Sequence, residues 1–378
     1  MVIWSGETVS PLCREGTVQN TLLIDRHSTQ STKGAGWATR LWKLTQPHQH
    51  ISKVSYTMSG SGIKTVFGGA SVGYGVFKTK EECHDVFKIL KAHGVETVDT
   101  AQLYGDSEKI LGEAKVGDQF IVDTKTPGGF KSEPDSSDTI VKNGHESKKI
   151  LGPIDVFYIH APSKNEPNGD VLSAINELYK AGVFKRFGLS NFRASDVQAV
   201  YDYCEKNSFV KPTVYQGNYS PVARRQDTEL LPTLRKLGIS FYAYSPLAGG
   251  FLTKTKQDIA DGKGRFSKEG IGALYSGMYA KPELLDSLTE WEKIASEADV
   301  SRAELAYRWV KYNSALKPEH GDGVIVGCSS TKQLKQTLEG LDRGPLPAQV
   351  VEKIDAMWET IKHVAPLDNY ADGVGKAN

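Results

Sequence analysis

From Lys64 onward, short β-prone runs alternate with stretches of helical apolar spacing, and the alternation repeats eight times. The runs are KTVFGG, VETVDT, QFIVDTK, IDVFYIH, FKRFGLS, TVYQGNYS, ISFYAYS and GVIVG. Between them lie segments such as TKEECHDVFKILKAHG, where Val86, Ile89 and Leu90 share one face and Gly94 supplies the stop. SSDTIVKNGHESKKILG closes at Gly152, Val171, Ile175, Leu178 and Tyr179 form an apolar stripe, and Ser195 caps the helix that follows FKRFGLS. Strict strand–helix alternation implies parallel strands joined by right-handed crossovers. An open doubly wound sheet and a closed (β/α)8 TIM barrel both satisfy that rule. The count of eight favours the barrel, as does the absence of a GxGxxG turn after the first strand, despite the glycines of GGASVGYG. The barrel is therefore expected over residues 64–365, with 1–63 a disordered extension and 366–378 a C-terminal tail.

A barrel collects functional side chains where its strands end. Asp99 and Tyr104 follow the second run, Lys125 ends the third and His160 the fourth. Ser190 and Asn191 end the fifth, Gln216 lies in the sixth, and Tyr244 and Ser245 end the seventh. Singly, each has an architectural reading: Asp99 can cap a turn, Tyr104 can pack in a loop, and a histidine after an apolar run is commonly a satisfied core residue. Lys125 is harder to dismiss, because an unpaired ammonium in an apolar strand is costly. Together they suit proton donation. A free phenol has a pKa near ~10, and an adjacent ammonium lowers it. An aspartate orients that ammonium, and a histidine directs a carbonyl oxygen. The set contains no nucleophile paired with a base and no carboxylate–histidine cluster for a metal.

Charge and composition narrow the partners. Lys plus Arg number 46 against 45 Asp plus Glu, which offers nucleic acid no basic surface. No apolar run approaches the ~20 residues of a membrane span. Cys13, Cys83, Cys204 and Cys328 are scattered, with no CxxC, as in a reducing compartment. Residues 1–60 are rich in Ser, Thr, Gln and His; they read as an extension, or as a transit peptide were Glu7, Glu15 and Asp25 absent. The expected location is cytoplasmic, with mitochondrial the alternative if the extension is a targeting segment.

The ordered motifs DTAQLYG, VDTK, FYIHAP, GLSNF, PTVYQGNY, FYAYSPLAGGFL and VIVGCSS resemble those of the aldo-keto reductases, in particular the aflatoxin aldehyde reductases. The resemblance covers residues 64–365 and implies NADPH-dependent reduction of aldehydes, and of some ketones, with cofactor bound at the rim. It makes Tyr104 the general acid, Lys125 its partner, Asp99 the orienting carboxylate and His160 the residue that positions the substrate carbonyl. Ser190, Asn191 and Gln216 match the contacts to the nicotinamide carboxamide, and Tyr244 the ring beneath it. Ser245, Pro246, Leu247, Gly249 and Lys254 match the pyrophosphate loop. Arg265 matches the adenosine-phosphate contact, favouring NADPH over NADH, although a solvated loop cation is the plainer reading. Gly327, Ser329, Gln333, Gln336 and Thr337 match the adenosine-side turn, where a helix begins. A homodimer is also implied.

The chain departs from these relatives in three places. LTGKY becomes LTKTK, YRNRF becomes YSGMY at Tyr275–Tyr279, and the tail DNYADGVGKAN lacks an arginine. The missing cations argue against a carboxylate-bearing aldehyde, while Tyr275, Met278 and Tyr279 suit an uncharged or aromatic carbonyl. The same fold also serves non-catalytic NADPH-binding regulatory subunits, which is the competing reading.

Overall fold

Strand-forming runs become strands because their residues alternate between two apolar environments. β1 (Lys64–Gly68), β2 (Thr97–Asp99), β3 (Ile121–Thr126) and β4 (Ile154–Ile159) are followed by β5 (Phe184–Ser190), β6 (Pro212–Asn218), β7 (Ser240–Tyr244) and β8 (Gly323–Val326). In the computed structural model these eight close into a parallel barrel in sequence order, with β1 paired to β8. Residues 62–372 are described, apart from 75, 132–134 and 268–270, so the expected extension lies outside the described residues except for Gly62 and Ile63. The (β/α)8 expectation is met.

The period of two in a strand sends neighbours to opposite faces. Val66, Val156, Tyr158, Val214, Tyr242 and Ile325 form a small cluster inside the barrel. Phe67, Phe157, Phe187, Leu189 and Phe241 point the other way, into the layer beneath the helices. Each such fully buried side chain contributes roughly 1.5–3 kcal/mol relative to exposure. Gly188 faces Tyr158 across β4 and β5, and a Cβ there would lie 2.2 Å from the ring. The glycine is what lets the tyrosine occupy the lumen.

Helix α1 (Lys80–Ala92) starts with a reciprocal capping box between Thr79 and Glu82 and stops at Gly94, φ 65°. α2 (Ser107–Glu113) and α3 (Ser137–Leu151) follow, with Ser136 capping α3 and Gly152 ending it. α4 (Gly169–Lys180) turns its stripe away from the expected register: Leu172, Ile175 and Leu178 are buried, whereas Tyr179 is 42% exposed. α5 (Ala194–Lys206) does not use Ser195 as its cap. Arg193 holds the N-cap position without a side-chain bond, and Ser195 lies in the first turn, donating to Asp196 Oδ1 at 3.3 Å.

Pro232 falls in the first turn of α7 (Leu231–Leu237), separating it from α6 (Gln226–Glu229) within one expected helix. α8 (Lys256–Ala260) and α9 (Ile271–Tyr279) occupy the long β7–β8 connection ahead of α10 (Pro282–Glu297). α11 (Arg302–Arg308) ends in a wide turn over Trp309–Asn313. α12 (Thr331–Leu341) follows β8, and α13 (Ala348–Ile361) closes the ring. Among the described residues, no helix is long and apolar enough to cross a membrane.

Candidate active site

Closure of the barrel brings Asp99, the last residue of β2, beside Lys125 near the end of β3. Lys125 Nζ donates to Asp99 Oδ1 at 2.7 Å, to Oδ2 at 2.6 Å and to the Thr100 carbonyl at 2.6 Å. Those acceptors match the three donors of an ammonium. Gln216 Nε2, from β6, donates to Asp99 Oδ1 at 2.6 Å. The pair is sealed from water, with Lys125 at 0% and Asp99 at 2% exposure. Burial raises the Asp99 carboxyl above its usual range, and Lys125 and Gln216 oppose that rise. The two rings over the ammonium are Tyr104, centroid 5.1 Å away, and Tyr158 at 5.6 Å.

Tyr104 sits in the turn after β2, held by its N–H to the Ala101 carbonyl at 2.9 Å. His160 follows β4, and the two rings meet nearly edge-on with centroids 5.6 Å apart. Burial, assisted by the Lys125 charge, holds the imidazole well below its ordinary pKa, so it is uncharged at neutral pH. Its Nδ1 is buried without a hydrogen-bond partner among the described residues. The phenol departs from the expectation of a lowered pKa. Burial and then the Asp99 charge push it well above the tyrosine value, with Arg265 pulling the other way. Burial is the larger cause, and the Asp99 carboxylate, held against Lys125 at 2.6 and 2.7 Å, adds its negative charge near the phenol.

The expected cofactor residues divide into three groups. Ser190, Asn191 and Gln216 are buried together at the ends of β5 and β6, at 1%, 4% and 3% exposure. Asn191, φ 63°, donates from Nδ2 to the His160 carbonyl at 2.9 Å and to Ser190 Oγ at 3.0 Å. Tyr244, half-buried at the end of β7, donates its OH to Asn191 Oδ1 at 2.6 Å. The second group is the turn after β7. Ser245, Ala248, Gly249 and Gly250 all have positive φ (54°, 52°, 69° and 99°), a cost of the order of 1–3 kcal/mol at each non-glycine position. Pro246 is buried and Leu247 half-buried there. Gly249 must be bare, since a Cβ would lie 2.2 Å from the Tyr275 ring.

The third group is peripheral. Lys254 is half-buried, and its backbone carbonyl accepts from Arg302 at 3.2 Å. Arg265 is exposed, with Nη1 3.4 Å from the Tyr275 OH. Gly327 accepts from Tyr307 OH at 3.2 Å, and Gln333 Oε1 accepts from Ser329 N at 2.8 Å at the start of α12. Gln336 is exposed on α12, whereas Thr337 is buried against the core. Of the expected substrate contacts, Tyr279 and Met278 are fully buried, and Tyr279 exchanges hydrogen bonds with Asn218 at 3.2 and 3.3 Å. Both side chains are closed to solvent, packed into the core beside Phe251 and Tyr275. Tyr275 is 3% exposed and packs between Gly249 and Arg265.

Sequence reasoning missed Tyr74, Phe130 and Tyr370, whose rings gather around Tyr104 and His160. Tyr74 and Phe130 sit in the loops after β1 and β3, so their place on the rim was a usable signal; Tyr370, far beyond β8, offered none.

A closed parallel barrel with a buried ammonium–carboxylate pair, a phenol and a neutral imidazole at its C-terminal rim defines a barrel oxidoreductase. The described donors suit a nicotinamide: buried amides at Asn191 and Gln216, a half-buried aromatic at Tyr244, and a side-chain-free turn at Gly249–Gly250. The profile of the Aldo/keto reductase family matches residues 64–359, and the chain belongs to that family. It is 35% identical over 293 residues to Oxidoreductase sirO of Leptosphaeria maculans, covering 76% of this chain and 89% of that protein. It is 36% identical over 293 residues to aflatoxin B1 aldehyde reductase member 2 of Rattus norvegicus, covering 72% of this chain and 79% of the relative. With aflatoxin B1 aldehyde reductase member 2 of Homo sapiens the identity is 37% over 295 residues, covering 72% and 80%. Family membership supports an oxidoreductase that works on small molecules with a nicotinamide cofactor.

Proposed function

We propose that this protein reduces aldehydes, and some ketones, to alcohols with NADPH, and that Tyr104 delivers the proton. The observation that carries the reading is the sealed Lys125–Asp99 pair seated under the Tyr104 ring beside an uncharged His160. Ser190, Asn191, Gln216 and Tyr244 would hold the nicotinamide end, the turn Ser245–Gly250 with Lys254 the pyrophosphate, and Arg265 with Gly327, Ser329, Gln333, Gln336 and Thr337 the adenosine side. When bound, NADPH supplies the hydride that reaches the carbonyl carbon.

The protein's own part is orientation and the proton. Neutral His160 hydrogen-bonds the carbonyl oxygen without competing as an acid. The Tyr104 O–H bond breaks as its proton passes to the oxygen that has gained negative charge, and solvent later returns a proton to the phenolate. A raised phenol pKa keeps the proton in place across the neutral range, and an alkoxide is basic enough to take it. Arg265 favours the phenolate left behind. Its guanidinium also suits the additional phosphate that distinguishes NADPH from NADH.

The test is NADPH oxidation with 4-nitrobenzaldehyde, wild type against Tyr104→Phe. Turnover is expected to fall at least ~10²-fold in the variant, with NADPH binding by fluorescence retained. A wild type that binds NADPH yet turns over no aldehyde in a broad panel would instead favour a non-catalytic cofactor-binding regulator. Whether the protein is a homodimer is read by light scattering.

A further inference from the structure

Below the Lys125–Asp99 pair the barrel lumen holds a third carboxyl, Asp123, which no step described above uses. It is the register partner of Asp99 across β2 and β3, and it lies two residues from Lys125 on the same face of β3. Its exposure is 0%. The Val156 N–H donates to its Oδ1 at 3.1 Å, and Oδ2 has no partner among the described residues.

The nearby cations are already matched. Above, Lys125 directs its three donors to Asp99 and the Thr100 carbonyl. Beneath, Arg186 of β5 holds Asp155 of β4, Nη2 to Oδ2 at 2.6 Å and Nε to Oδ1 at 3.3 Å. Asp123 therefore stands between two closed ion pairs. The other titratable groups on the lumen side are the phenols Tyr158 of β4 and Tyr242 of β7, with Lys64 of β1 3.5 Å from the Tyr242 hydroxyl. On the outer side of β3, Glu108 of α2 accepts from Thr124 at 2.6 Å and from Ser147 of α3 at 3.1 Å.

We propose that Asp123 is a positioning residue for proton donation and works as an uncharged acid. With its proton on, Asp99 alone balances Lys125; with the proton gone, a second carboxylate in the lumen disfavours the phenolate that Tyr104 must become. The inference rests on the reductase reading and adds a residue to it.

The proton belongs on Asp123 rather than Asp99 because their donors are unequal. Asp99 accepts twice from Lys125 and once from Gln216, and each bond favours its ionised form. Asp123 accepts one backbone N–H, and an ionised Oδ2 sealed from water without a donor is costly. Burial first, then the charges of Asp99 and Asp155, raise the Asp123 carboxyl to about 8. The link to Tyr104 is electrostatic. The Asp99 charge already pushes the phenol upward, and a carboxylate registered beside it acts in the same sense where water does not screen it. As pH rises through the Asp123 value, its proton passes to bulk solvent and donation by Tyr104 weakens.

The experiment uses the full-length protein and two readouts. Infrared difference spectra between pH 6 and pH 10, wild type against Asp123→Asn, should contain the carbonyl band of a buried carboxylic acid that fades near pH 8 and is missing from the variant. The kcat for 4-nitrobenzaldehyde with saturating NADPH should fall about 10-fold in the wild type between pH 7 and pH 9, since such an acid goes from about nine-tenths to about one-tenth protonated. In Asp123→Asn, whose amide carries no charge at either pH, the fall should shrink to less than about 2-fold, with KM changing little in either protein. An equal alkaline fall in both proteins overturns the proposal, as does a wild-type spectrum without the acid band. If Asp123→Asn does not fold, the infrared band and the kcat of the wild type must share one midpoint, and midpoints more than about one pH unit apart refute it. Inertness toward every aldehyde in a broad panel overturns the reductase reading and the coupling to turnover, while the infrared band still reports the acid independently.

Discussion

Replacing Lys125 by Met removes the charge but nearly keeps the volume, and the consequence is legible in how stability depends on pH. Asp99, 2% exposed, would lose contacts of 2.6 and 2.7 Å and keep only the Gln216 amide. Breaking a buried pair on one side costs roughly 3–5 kcal/mol if the remaining charge persists. The carboxylate has an escape, which is to bind a proton. Holding an aspartate neutral at pH 7, about three units above its unfolded pKa, costs ~4 kcal/mol, and at pH 5 only ~1.5 kcal/mol. In the variant the folded pKa of Asp99 is raised further above the unfolded one. Stability is then full below the unfolded pKa and lost as pH rises towards the folded pKa. Urea unfolding followed by tryptophan fluorescence should therefore show a deficit against wild type that grows between pH 5 and pH 7, by at most ~2.7 kcal/mol because the wild-type Asp99 is itself raised and loses part of the same stability. Adding Asp99→Asn should flatten that dependence. A deficit of the same size at both pH values, or one that Asp99→Asn leaves sloping, would refute the account of the pair as a buried charge needing its counterion.

Other expectations follow from single contacts. Gly188→Ala places a methyl 2.2 Å from the Tyr158 ring and should destabilise by about 1–3 kcal/mol in the same urea assay. Tyr244→Phe removes the hydroxyl between Asn191 Oδ1 and Asn369 N–H, and should weaken NADPH binding by roughly 1 kcal/mol, about fivefold in Kd by fluorescence titration. Burial raises Asp368 to about 6, so docking of the tail should be tightest below pH 4 and loosen as pH rises through 6. Hydrogen exchange at residues 367–372 checks the direction, and Asp368→Asn should remove the pH dependence.

Much of the fold was legible because strand and helix periods are local. Phe67 and Val66 alternate faces for the same backbone reason whether or not a barrel has formed, and Gly94 and Gly152 end helices within their own segments. The failures have equally physical causes. Ser195 is an acceptable cap by residue type, but the chain enters α5 two residues earlier, at Arg193. α9 was not expected because its residues, ALYSGMY, are nearly all apolar and show no amphipathic stripe; Met278 and Tyr279 are fully buried.

At the site, the strand ends alone nominated Asp99, Lys125 and His160, since apolar runs that finish on a charged or imidazole side chain require a reason. What the linear chain could not determine was the direction of the Tyr104 shift. That depends first on the burial of the phenol and then on the Asp99 charge, both of which exist only once the barrel has closed. Nor could it place Tyr370 against Phe130 or Asn369 against Tyr244. Residue type and spacing decide what a segment can become; burial, donor saturation and ring contacts exist only after closure sets distant segments within a few ångströms of one another.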